Sequence, residues 1–106
     1  MALGRDVRDP ARFVLAKVPT LDTEQGRSLV QHMVALAELT RTGFSAGDVS
    51  TIISPRTVIG WAENTVICRD VWRAFELTVL NRVDEDERAL YGVYWQRAMG
   101  DTPEES

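Results

Sequence analysis

The chain has 106 residues, 44% hydrophobic and 26% charged, which describes one small domain with a modest single core rather than a disordered segment. Its formal net charge of -4 removes any broad electrostatic pull toward nucleic acid or an anionic membrane. No apolar run approaches the roughly 18 to 20 residues that span a bilayer, MALGRDVRDP is no secretory signal, and a single cysteine, Cys68, excludes an internal disulfide. The expected setting is the cytoplasm, with no membrane partner.

In chain order, Asp9-Pro10 reads as a turn, and residues 13–18 (FVLAKV) form a short apolar run closed by Pro19, an opening strand or linker. The first helix is expected over residues 22–42, where Leu29, Met33, Leu36 and Ala37 repeat at helical spacing and Gly43 supplies the stop. Gly47-Asp48 is a turn, and the β-branched residues 49–53 form a brief strand-like insert. Ser54 is a suitable N-cap and Pro55, having no N–H to lose, suits the first helical position, so a second helix starts at Pro55 and buries Val58, Trp61, Ala62 and Val66. A third helix over residues 70–81 is apolar on more than one face and is expected to be the most buried. In a fourth, Asp84 and Glu87 make a capping-box-like start, and Leu90, Val93, Tyr94 and Ala98 form the inner face. Trp61 and Trp72 read as core anchors, while Trp95 fits either the core or a partner-facing surface. The fold class is therefore all-α, a four-helix bundle with one strand-like insert.

Few residues carry chemistry. The chain has no Gly-Lys-Ser/Thr phosphate loop, its only lysine being Lys17 between Ala16 and Val18. His32 stands alone without a second histidine or a cysteine at ligand spacing, and Cys68 reads as a small packed residue at a helix end. The acidic run 84–87 favours a helix dipole. Arg56 differs: a guanidinium in the first turn of a helix sits at the positive end of the dipole among unpaired N–H donors, unless an anion is shared there. A nucleotide phosphate, a DNA phosphate, or solvent with a neighbouring carboxylate would each serve. The DNA alternative, a helix-turn-helix over residues 48–64, is weakened because the helix offers no basic residue after Arg56. A helical interaction domain without a ligand is the third reading.

The segments VLAKVP (14–19), STIISPRTVIGWAEN (50–64), AFELTVLNRVDEDER (74–88) and YWQRAMG (94–100) resemble the C-terminal part of the CobS family of aerobic cobaltochelatase subunits, which are MoxR-like AAA+ ATPases. The likeness spans residues 14 to 100. It implies an AAA+ lid-type bundle over residues 21–100, preceded by a linker or remnant of the connection to an ATPase core (1–20) and followed by an acidic tail (101–106). By that resemblance Arg56, of the Ser54-Pro55-Arg56 motif, is the sensor 2 arginine that contacts the terminal phosphate of ATP. The family's phosphate loop, magnesium-binding acidic pair, sensor 1 and arginine finger lie upstream of the matching region, so the isolated chain is expected to hold no cofactor and to turn over no ATP. It would be a lid taken from a larger ATPase or a short product without the motor. In the complete ATPase, the resemblance implies ATP and magnesium as cofactors, and the AAA+ core, ring neighbours and CobT-like and CobN-like proteins as partners. The reaction implied is ATP-driven cobalt insertion in cobalamin biosynthesis.

Overall fold

A computed structural model describes residues 10–100 and is all-helical over them, with five α-helices and two short 3-10 turns and no strand among the described residues. The helices are α1 (Pro10–Lys17), α2 (Glu24–Ala46), α3 (Pro55–Cys68), α4 (Val71–Thr78) and α5 (Glu85–Met99), with 3-10 turns at Pro19–Leu21 and Leu80–Arg82. Asp9 and the tail 101–106 lie outside the described residues.

The run FVLAKV, expected as an opening strand or linker, falls in α1 as far as Lys17, with Val18 just past the helix end. Pro10 occupies the start of that helix, Ala11 and Val14 lie on one face and are buried, and Val18 just beyond the end is buried as well. Packing against α2 and α3 supplies what an eight-residue helix lacks alone.

The long helix α2 is capped by Thr23, whose hydroxyl accepts from the Gly26 N–H at 3.0 Å, and ends not at Gly43 but at Ala46. Gly47, at φ 83°, takes the left-handed capping position that a side chain would strain. Gly43 is instead buried inside α2, where the Tyr94 hydroxyl of α5 lies against it and would collide with any Cβ.

Three aromatic helices close the core. Trp61 of α3, Phe75 of α4 and Trp95 of α5 meet with ring centroids 4.8 to 5.9 Å apart, and Trp72 adds an edge-on contact to Trp95 at 4.7 Å. Trp95 is thus a core residue, at 1% exposure, whereas Trp72 is only half-buried. The inner face of α5 is Tyr91, Tyr94, Trp95 and Ala98, and Val93, expected inside, is exposed. The expected third helix is split: Asp70 caps α4 by accepting from the N–H groups of Trp72 and Arg73, and after Thr78 the chain tightens into the second 3-10 turn. Only Ala74 and Phe75 of α4 are fully buried, so it is not the most buried helix. Its Leu77 faces outward.

The β-branched residues 49–53 form no strand, because no second segment runs alongside to complete a ladder. Val49 and Ile53 are buried instead, and three backbone atoms of the segment, the Ser50 and Ile53 N–H groups and the Thr51 carbonyl, bond to side chains from α2 and α5.

Candidate nucleotide-contacting site

The start of α3 is built as a helix N-terminus should be. Ser54 is extended at φ -79° and ψ 164°, its Oγ accepts from the Thr57 N–H at 3.2 Å, and its carbonyl accepts from Val58 N–H at 3.0 Å. Pro55 follows at the first helical position and Arg56 at the second. The Thr57 hydroxyl lies 3.1 Å from Ser54 Oγ.

Arg56 is exposed, and neither its guanidinium nor its N–H is bonded to a described residue. Among the described residues no carboxylate answers it. That separates it from Arg27, which pairs with Asp22 at 3.3 Å, and from Arg88, whose Nε donates to the Val83 carbonyl at 3.1 Å. Arg56 is also the only basic side chain on α3. Such a helix offers a single cationic fork at its positive end, able to meet one anionic group in bidentate fashion, but not the row of donors that reads a groove of DNA. An apolar cleft lined by Val14, Val34, Ala37, Ile53, Pro55 and Val58 lies beside this helix start, with Glu38 and Arg41 among its walls.

The segment leading into Ser54 is fixed from two sides. Both Glu87 carboxylate oxygens bind Ser50, Oε1 accepting from its N–H at 3.1 Å and Oε2 from its hydroxyl at 3.0 Å. The Tyr91 hydroxyl donates to the Thr51 carbonyl at 3.0 Å. From α2, Thr40 Oγ1 accepts the Ile53 N–H at 3.2 Å while donating to the Ala37 carbonyl at 2.7 Å, so its hydroxyl uses both of its roles. Burial, with smaller contributions from the Glu87 carboxylate and Tyr94, pushes the Tyr91 hydroxyl from 10.0 up to about 12. Burial and the Asp48 carboxylate likewise raise Tyr94.

Of the residues singled out in the sequence, Ser54, Pro55 and Arg56 come together as expected. The capping box does not form, since Asp84 makes no side-chain cap bond and Glu87 turns to Ser50. His32 is exposed on α2, and Cys68 ends α3 as a partly buried free thiol. No cluster of three metal-ligating side chains forms among the described residues, and no helix there is long and apolar enough to cross a membrane. Sequence reasoning missed Thr40, Glu87 as a clamp, and Tyr91. The i, i+4 spacing of Glu87 and Tyr91 puts them on one face of α5, but nothing local says which loop they meet.

No family model matches the chain, and no solved structure matches it. One curated protein that does is the aerobic cobaltochelatase subunit CobS of a Sinorhizobium species, 52% identical over 88 residues. The match covers 83% of this chain and 26% of that subunit, so the chain spans about a quarter of the length of its relative. An identity of one residue in two over 88 residues is far beyond what shared helical composition produces. The family resemblance read from the sequence therefore stands: over most of its length, this chain is a relative of the aerobic cobaltochelatase subunit CobS.

Proposed function

We propose that the chain serves as the helical lid of a CobS-like, MoxR-type AAA+ ATPase subunit, with Arg56 as its sensor 2 arginine. In this reading the Arg56 guanidinium meets the terminal phosphate of ATP bound, with magnesium, by an AAA+ core and its ring neighbours. CobT-like and CobN-like proteins complete a cytoplasmic assembly that inserts cobalt into a corrin ring. The observation that carries the reading is an arginine at the second position of α3 that is exposed and without a partner among the described residues. Its cationic fork and the helix's positive end favour an anion at the same place, and in the proposed AAA+ assembly that anion is the terminal phosphate of ATP. Ser54 and Pro55 set the helix start from which the side chain projects.

The role of such a lid is mechanical. A contact made to the γ-phosphate before hydrolysis and lost after it gives the lid different free energies in two orientations, and that difference is what a nucleotide-driven swing requires. Arg56→Ala tests the assignment in the complete ATPase. Loss of one charge-assisted phosphate contact, worth on the order of 1.5 to 3 kcal/mol, lowers nucleotide affinity or turnover roughly 10- to 150-fold. Arg56→Lys restores part of it, since the charge returns without the fork. An unchanged ATPase rate in the alanine variant, with the fold intact, sinks the proposal.

A further inference from the structure

Residues 50–53 pair with no strand, lie in no helix, and end at the cap of the helix that carries Arg56. An exposed connection of this kind would ordinarily leave its backbone to water. Here three side chains from two helices hold it, and two of the three, Glu87 and Tyr91, stand one turn apart on α5. Glu87 is committed fully: both of its oxygens bind one residue 37 positions away, although the same carboxylate could have reached back to its own helix start. Val49 and Ile53, buried at either end, pin the segment by packing as well.

We propose that Glu87 and Tyr91 are positioning residues for Arg56. By gripping Ser50 and Thr51 they fix where the chain enters Ser54 and Pro55, and so where the arginine is presented. Thr40 completes the frame from α2. A rotation of α5 draws residues 50 and 51 with it and carries Arg56 toward or away from its phosphate, and a force on Arg56 returns to α5 along the same bonds. The functional half of this inference rests on the phosphate reading of Arg56. The clamp itself does not.

Amide hydrogen exchange on the 106-residue chain tests the clamp. Glu87→Ala speeds exchange at the Ser50 and Ile53 amides and at the first amides of α3 roughly three- to tenfold, with the Met33 and Leu36 amides in the middle of α2 unchanged. Glu87→Gln stays close to the parent protein, because the amide oxygen accepts from the Ser50 N–H and the amide nitrogen donates to its hydroxyl. Should Glu87→Ala fail to fold, Ser50→Ala and Tyr91→Phe each remove one arm of the clamp and give the same local pattern. Unaltered exchange over residues 50–57 in every variant overturns the proposal. In the complete ATPase, Glu87→Ala lowers turnover by less than Arg56→Ala and adds nothing in an Arg56→Ala background. A loss that adds in full overturns the link to Arg56. If Arg56→Ala alone leaves turnover unchanged, it is the phosphate reading that fails, and the exchange pattern still decides the clamp.

Discussion

Two helix starts in this protein solve the same problem in opposite ways. The N-terminus of α3 has a working cap, Ser54 to Thr57, and then sets a cation, Arg56, at the positive end of its dipole. The N-terminus of α5 has no side-chain cap, but Glu85, Asp86 and Glu87 fill its first turn. Charge stabilises the second start without geometry, and geometry stabilises the first in spite of charge. Glu87 is therefore free to leave its own helix and bind Ser50, while Arg56 is left with no described partner. A helix start arranged against its own dipole leaves its cation to solvent or to a group from outside the described residues. One arranged with it can lend a side chain to the fold.

The largest expected effect falls on what the two helices share. Phe75 touches Trp61 of α3 and Trp95 of α5, so Phe75→Ala should cost about 3 to 5 kcal/mol, and urea denaturation should show both helices lost in one transition. Separate transitions for the two ends would break the view that one core carries both starts.

A smaller effect belongs to Tyr91, on the α5 side. Its hydroxyl titrates at about 12 in the fold and near 10 when unfolded. The folded protein therefore holds the proton more tightly. The stabilisation is fully present below pH 10 and is lost as pH rises through about 12. Thermal unfolding midpoints should fall over that window in the parent protein and fall less in Tyr91→Phe, and identical profiles would show that the hydroxyl does not titrate differently in the two states. The raised Tyr94 acts in the same direction and remains in both proteins.

The smallest effects separate the two starts most directly. Ser54→Ala should cost about 1 kcal/mol, the usual value of a formed cap, whereas Asp84→Ala should cost less than about 0.5 kcal/mol because there is no cap bond to lose. Equal losses in denaturant midpoints would erase the contrast.

The same contrast shows which parts of the molecule are legible in the sequence. Ser54, Pro55 and Arg56 are neighbours whose meaning depends only on one another, and the expected start of α3 matches the structure to the residue. The all-helical class is also readable, from apolar spacing. Asp84 and Glu87 have the spacing of a capping box, yet the competing partner for Glu87 lies 37 residues away and leaves no local trace. Gly43 looks like a stop because glycine commonly ends helices. Its real constraint is the approach of Tyr94, a contact between residues about fifty positions apart. Residues 13–18 read as extended because the run is short and β-branched near its ends, and their helix is rescued by tertiary packing that propensity cannot show. Trp95 is ambiguous in the sequence for a similar reason: a tryptophan suits a core and an interface equally well, and only the rings around it choose.

The meeting of Gly43 with Tyr94 also decides how this bundle can deform. With only a hydrogen between the α2 backbone and the phenol oxygen, α5 and α2 are keyed together like a tooth in a notch. A side chain at that point would set its Cβ against the phenol oxygen and force the ring or the two backbones to move. The close approach therefore ties α2 to α5 at this point. The segment that leads to Ser54 is held from both of these helices, by Thr40 of α2 and by Glu87 and Tyr91 of α5, so the tie between them also sets where α3 begins.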